Sequence, residues 1–98
     1  MGSEAGFVRQ SIVVTADSFL RFRPTTIYVV PLTSTPRKFP SHVEILPDDF
    51  NELLKPCTAL VEQLRAVAIE RCDPKGGNIG QTACHQILDL VAIIMGMP

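Results

Sequence analysis

Short apolar segments rich in β-branched residues alternate with polar and proline-containing stretches in the first half of the sequence. These segments span residues 11–15, 25–32 and 43–46. Clustered valine and isoleucine bounded by polar residues are typical of buried strands, so we expect three strands here. Pro31 lies near the end of the second segment, and because proline cannot donate to a ladder it indicates a strand end, an edge or a bulge. A helical turn or a loop is expected at residues 17–20.

The second half of the sequence begins with an ambiguous segment and ends with a clear helix. Residues 57–69 alternate apolar and polar positions as a strand does, but their alanine, glutamate and leucine content suits a helix equally well. Residues 79–80 are expected to form a further short strand. Apolar side chains at helical spacing then predict a helix over residues 82–95, and Gly96 is placed to cap it. The apolar face of this helix is expected to consist of Cys84, Ile87, Leu88, Val91, Ile94 and Met95.

Several short strands followed by one terminal helix predict an α+β domain, in the form of a small, partly closed barrel. The chain has 98 residues, of which 46% are hydrophobic and 19% are charged, which predicts one globular domain over residues 1–98. The net charge is −1. Residues 1–46 contain five basic and three acidic side chains, whereas residues 47–98 contain four basic and seven acidic ones. A polyanion would therefore favour the N-terminal half, although scattered surface charge explains the small difference equally well.

Motifs of metal, nucleotide and hydrolase sites do not occur in the sequence, which contains no Walker loop, no GxGxxG and no GxSxG. The cysteines are Cys57, Cys72 and Cys84. Their spacing matches no common zinc pattern, so we expect reduced cysteines in a cytoplasmic protein without metal or cofactor. His42 and His85 are expected to be surface or half-buried imidazoles. Residues 87–97 are the most apolar stretch, but it contains Asp89 and is too short to span a bilayer.

Polar groups cluster at the predicted strand ends. Arg9 precedes the first strand, and Thr33 begins a loop rich in hydroxyls directly after the second. If these strands pair, Arg9 and Thr33 lie together at the rim of one sheet. A guanidinium offers a fork of donors that fits a phosphate, and hydroxyls and loop amides add neutral donors. The loop after Thr33 supplies Ser34, Thr35, Arg37 and Lys38. It therefore suits phosphate contact, and a solvated turn with two basic residues is the alternative.

Four stretches resemble the MazF/PemK family of toxin endoribonucleases. They are Gly2-Ser3-Glu4 followed by Arg9, residues 12–19, residues 29–35, and residues 62–67 with the sequence EQLRAV. They follow one another in the family's order, and the closing helix also fits. The resemblance implies an SH3-like β-barrel with a long C-terminal helix and a homodimer. It also implies that the family's first strand is lacking, because this chain starts at the Gly-Ser-Glu loop and has no tryptophan.

The same resemblance implies the toxin of a toxin–antitoxin system, which cleaves single-stranded RNA or mRNA at short sequences without a metal. A cognate antitoxin would block the RNA groove. By position, Arg9 would be the catalytic arginine, Thr33 would be the catalytic threonine, and Glu4 would lie in the loop near the site. Gln63 and Arg65 would line the RNA groove.

Two alternatives stay open at this point. The family usually has proline after the catalytic arginine, whereas this chain has Gln10. A catalytically weakened or inactive relative that binds antitoxin or RNA without cutting is therefore one alternative. The other is a small barrel domain whose loops bind peptides.

Overall fold

The computed structural model describes the backbone of residues 3–4 and 7–8, and residues 10–35, 38–72 and 77–96 with their side chains. The strands are β1 (Ser3–Glu4), β2 (Phe7–Val8), β3 (Ser11–Val13), β4 (Thr26–Thr33), β5 (His42–Ile45), β6 (Cys57–Leu60) and β7 (Arg65–Ala68). The helices are α1 (Asp17–Leu20) and α2 (Gln81–Ile94), with 3₁₀ turns at Val61–Gln63 and Ile69–Arg71. Short strands followed by a terminal helix form an α+β fold, as predicted.

The strands form one antiparallel sheet around β4, and β1 pairs only with β2 among the described strands. The strand order is β3-β4-β6-β5, and β7 pairs with the first half of β4. The predicted pairing of the first two long strands is confirmed, because Ser11 lies opposite Pro31 and Val13 lies opposite Val29. No pairing joins β3 to β5 within the described part of the chain, so these strands form an open sheet and the predicted barrel is not confirmed.

Pro31 lies where the ladder beside β4 is interrupted. Val29 pairs with Arg65 of β7 and Leu32 pairs with Ala59 of β6, so two residues of β4 oppose the five residues 60–64. The Leu32 amide donates to the Gln10 carbonyl on the β3 side. Since alternate residues of a strand point their amides to opposite sides, the nitrogen of Pro31 faces this interruption and needs no acceptor there. For Pro31 the sequence left a strand end, an edge or a bulge open, and the structure shows an interruption of the ladder within β4. The ambiguous segment 57–69 contains two strands joined by a 3₁₀ turn.

The core lies between α2 and the face of the sheet that carries Val30. It consists of Ile12, Val30, Val43, Ile45, Ala59, Val61 and Ile87. The predicted helix is confirmed, but its buried face is rotated from the predicted one. Leu88 and Met95 are 43% and 67% exposed, whereas Ala83 and Leu90 pack against the core. The predicted face was wrong at these positions because α2 has apolar residues on two adjacent stripes, and periodicity alone does not say which stripe meets the sheet.

The two ends of α2 are set by glycines with positive φ. Gly80 has a φ of 86° and precedes the first helical residue, so the strand expected at residues 79–80 is absent and that prediction was wrong. Gly96 has a φ of 75°, and its amide donates to the Ile93 carbonyl, which confirms its predicted capping role. None of the helices in the described ranges has the length and apolar character needed to cross a membrane.

Candidate functional site

Thr33 ends β4 at the rim of the sheet and begins a tight turn. Its Oγ1 accepts a hydrogen bond from the Thr35 amide at 3.2 Å, which is a common way for threonine to hold a turn. This contact leaves the hydroxyl hydrogen of Thr33 available for donation. Ser34 and Thr35 are exposed beyond it. The strand end therefore presents three hydroxyl groups within three consecutive residues.

An open groove of about 430 Å³ lies beside this strand end. It is lined by Gln10, Leu32, Thr33, Ser34, Leu54, Lys55 and Cys57. Lys55 is the only charged side chain among these described residues. The groove lining thus includes two neutral hydroxyl residues at the end of β4, Thr33 and Ser34, and one basic residue, which is suitable chemistry for a phosphate.

The connecting segment of residues 46–56 contributes Leu54 and Lys55 to the groove lining, and the buried side chain of Asn51 organises it. The Asn51 Oδ1 accepts from the Asp48 amide at 3.2 Å and from the Leu53 amide at 3.1 Å. Its Nδ2 donates to the Leu46 carbonyl at 2.8 Å. The Asp48 carboxylate in turn accepts from the amides of Phe50 and Asn51. These bonds hold a connection without regular secondary structure in one conformation.

A second attachment joins this segment to the chain that leads into α2. The Asn78 amide donates to the Phe50 carbonyl at 2.7 Å, and the Asn78 side chain accepts from the Gly80 amide. Gly77 lies directly against the same backbone, where a Cβ atom would collide with the Phe50 carbonyl oxygen. Only glycine permits this approach. The connecting segment is therefore held in place both by its own side chains and by the residues that lead into α2.

The structure brings some of the predicted site residues together and separates others. Thr33 and Ser34 line the groove, Thr35 lies beside them, and Lys38 is exposed. Gln10, which follows Arg9 in the sequence, lines the same groove and is bonded to Leu32. The predicted residues Arg9 and Arg37 lie outside the described residues. Glu4 belongs to β1, where it pairs with Phe7, and its side chain is also outside the description.

Gln63 and Arg65 do not line the groove. Gln63 is exposed at the end of the first 3₁₀ turn, and Arg65 is half-buried in β7 opposite Val29. Val29 precedes Thr33 by four residues, which corresponds to about 14 Å along a strand. These two residues therefore lie on a neighbouring part of the sheet, beyond the interruption at Pro31.

A polar cluster around Glu62 was not expected from the sequence. Its carboxylate accepts from the Ser41 hydroxyl at 3.2 Å and lies 3.1 Å from His42 Nε2. The His42 ring is almost fully buried, with a side chain only 3% exposed, and packs edge-on against Phe39. Burial raises the pKa of Glu62, but hydrogen bonds from His42, the backbone and Ser41, with attraction to His42, lower it below its usual value overall.

Lys55 and Asn51 were also missed. Their place follows from strand pairing and not from a local pattern: Lys55 lies two residues before β6 begins, and Thr58 of that strand pairs with Thr33. Within the described ranges, no group of three or more histidine, cysteine, aspartate or glutamate side chains is arranged to hold a metal ion.

Comparison with known proteins gives consistent results. The family described as PemK-like, MazF-like toxin of type II toxin–antitoxin systems matches residues 1–95. Toxin MazF-mt6 of Mycobacterium tuberculosis superposes with a TM-score of 0.77 at 17% identity, covering 92% of this chain and 88% of that chain. A mycobacterial endoribonuclease in complex with its cognate antitoxin superposes with a TM-score of 0.78 at 18% identity, covering 97% and 88%. No curated protein sequence matches the chain significantly.

These findings carry different weight. Structural likeness at 17–18% identity establishes the fold alone. The family match, by contrast, rests on the sequence and spans almost the whole chain. The chain therefore belongs to the PemK-like, MazF-like toxin family of type II toxin–antitoxin systems.

Proposed function

We propose that this protein is a toxin that cleaves single-stranded RNA or mRNA at specific sequences without a metal ion. The observation that carries the proposal is the groove at the end of β4, which Thr33, Ser34 and Lys55 line together. Family membership and the mycobacterial endoribonuclease among the similar structures support this assignment.

The proposed reaction is attack by a ribose 2′-oxygen on the adjacent phosphorus. The new O–P bond forms as the bond to the 5′-oxygen breaks, which yields a 2′,3′-cyclic phosphate and a 5′-hydroxyl. The proton of the 2′-hydroxyl leaves to a base, and the departing 5′-oxygen takes up another. Negative charge grows on the phosphoryl oxygens, and a lost donor at such a position costs about 3–4 kcal/mol. Thr33 and Arg9 would stabilise that charge.

Arg9 is a stabiliser or a proton donor in this proposal and not the base. A guanidinium stays protonated in proteins because it is a very weak acid. Gln10, the next residue, lines the groove and pairs with the backbone beside Thr33, which supports placing Arg9 at the same rim. Glu4 would complete the loop on this side of the site.

The remaining predicted residues would guide the RNA on either side of the scissile phosphate. Ser34, Thr35, Arg37 and Lys38 would contact phosphates next to Thr33, and Gln63 and Arg65 would contact a more distant part of the strand. We further propose a cytoplasmic homodimer with the SH3-like barrel expected from the resemblance, and a cognate antitoxin that occupies the groove. A similar structure contains an endoribonuclease bound to its antitoxin, which supports such a partner.

The experiment is incubation of the purified protein with a long single-stranded RNA in EDTA, followed by mapping of the ends. We expect cuts that leave 2′,3′-cyclic phosphates and that disappear with Thr33→Ala and with Arg9→Ala. Matched controls are Thr26→Ala at the opposite end of β4 and Arg21→Ala, both at exposed positions. Intact RNA with a folded wild-type protein would reject the nuclease and favour the alternative, a relative that binds RNA or antitoxin without cutting.

A further inference from the structure

The segment of residues 46–56 is acidic as a whole, yet the residue with a charged side chain that it contributes to the groove lining is basic. Three of its carboxylates, those of Asp48, Asp49 and Glu52, are exposed and none of them lines the groove. Its one basic side chain, Lys55, does line it. Of the charged residues of this segment, only the basic one therefore lines the groove.

The position of Lys55 is determined from both directions along the chain. On one side, Asn51 is only 7% exposed and bonds to the backbone of Leu46, Asp48 and Leu53. On the other side, β6 begins at Cys57, whose thiol donates to the Lys55 carbonyl at 3.4 Å. Few backbone conformations are open between these two points, and Pro56 restricts the conformation of Lys55 further.

We propose that Lys55 is a further RNA-binding residue, which contacts a backbone phosphate in the groove that it lines together with Thr33, and that Asn51 is the residue that positions it. This inference rests on the proposed function. An ammonium group is a compact cation with three donors and binds phosphate as a point charge. Because the other described residues that line the groove are neutral, Lys55 would add a positive charge there to the one proposed for Arg9.

The test is binding of a labelled single-stranded RNA of about 20 nucleotides to the Thr33→Ala protein, which does not consume the probe. Affinity is measured by fluorescence anisotropy between about 50 and 300 mM KCl. Neutralising one phosphate contact lowers the slope of log K against log salt by about 0.7 for single strands. We therefore expect Lys55→Gln to bind about three- to ten-fold more weakly at low salt with this smaller slope, and Lys55→Arg to retain both.

The matched control is Arg71→Gln. Arg71 is an exposed cation in the second 3₁₀ turn, which follows β7 near the beginning of β4 and so lies far from Thr33. Its removal changes the net charge as Lys55→Gln does but leaves the groove intact. We expect it to leave the salt slope unchanged, whereas an equal loss of slope in both variants would overturn a specific role for Lys55.

The role of Asn51 is tested by a double-mutant cycle with the uncharged variant Asn51→Ser. If Asn51 acts by placing Lys55, Asn51→Ser lowers the salt slope on its own but has no further effect in the Lys55→Gln background. A purely structural role would lower stability and leave the slope unchanged, which would overturn the positioning role. Should Asn51→Ser not fold, the Lys55 variants still decide the main point.

The outcomes separate this inference from the proposed function. Wild-type protein that neither cuts nor binds RNA would reject the proposed function and this inference with it. If RNA binds and Lys55→Gln leaves both the affinity and the salt slope unchanged, the role of Lys55 in RNA binding is rejected. The proposed nuclease function is not affected by that result.

Discussion

Single side chains of this protein act mainly by holding irregular backbone in place. Asn51 bonds to three backbone groups of one connecting segment, and Thr33 holds the turn after β4 through its hydroxyl. Gly77 acts through the absence of a side chain, because the backbone of residues 50–51 fills the space where a Cβ would lie. The candidate site thus depends on residues that contact backbone and not only on those that would contact RNA.

Glu62 supports a prediction at this scale about pH and stability. Its pKa is lowered from 4.5 in the folded protein, so the folded state gains stability from the ionised form. That gain is complete above a pH of about 4.5 and is lost as the pH falls through the lowered pKa. Because the Glu62 side chain is 39% exposed, we expect about 1 kcal/mol or less.

The measurement is urea unfolding of wild type and Glu62→Gln between about pH 3 and pH 7. We expect the variant to be slightly less stable at neutral pH and the difference to vanish towards pH 3. The control is Glu44→Gln, at an exposed position of β5. Parallel loss of stability in wild type and Glu62→Gln over this range would contradict the prediction.

At the scale of elements, β4 is the central strand of the sheet and α2 covers one face of it. β4 pairs with β3, β7 and β6 in turn, and Pro31 lies where its partner changes from β7 to β6. The 3₁₀ turn Val61–Gln63 accommodates the extra residues of the partner strand and places Val61 in the core under α2. This interruption also separates Thr33, at the end of β4, from Arg65 of β7, so the residues proposed to bind RNA lie on two distinct parts of the sheet.

The packing of α2 supports a prediction about stability. Ile87 is fully buried at the centre of the helix, whereas Ile93 is 69% exposed. Truncating a buried isoleucine removes apolar contacts and leaves a cavity, at a cost of about 2–5 kcal/mol. We expect Ile87→Ala to lower the free energy of unfolding by this amount and Ile93→Ala to change it little, as measured by urea unfolding. Similar losses in both variants would show that α2 packs by a different face.

At the scale of the whole molecule, fold and family are established more firmly than activity. The similar structures cover most of this chain, and the family match runs from residue 1 to residue 95. The proposed activity would depend on a few groups at one strand end, and a fold of this kind does not guarantee them. The state of assembly likewise depends on surfaces that lie outside the core.

The homodimer is a prediction at this scale, and it rests on the resemblance to the family. Several large apolar side chains on the surface, such as Phe22, Leu54 and Met95, are 67% exposed or more, and a second copy of the chain would reduce such exposure. We expect analytical ultracentrifugation at micromolar concentration to show a species of twice the chain mass. A monomer alone across that concentration range would contradict the dimer.

Local patterns in the sequence predicted the strands at residues 11–15, 25–32 and 43–46, the long helix and the cap at Gly96, because these features depend on neighbouring residues and on glycine geometry. The sequence also placed Thr33 and the hydroxyl-rich loop at a strand end. Only the tertiary structure decided that residues 57–69 contain two strands, and which stripe of α2 is buried, since either apolar stripe satisfies the same periodicity. It alone brought Lys55 to the groove that Thr33 lines and linked Asn78 to Phe50. These contacts join residues more than 20 positions apart, and they follow from the way the strands pair and the helix packs, which no local pattern specifies.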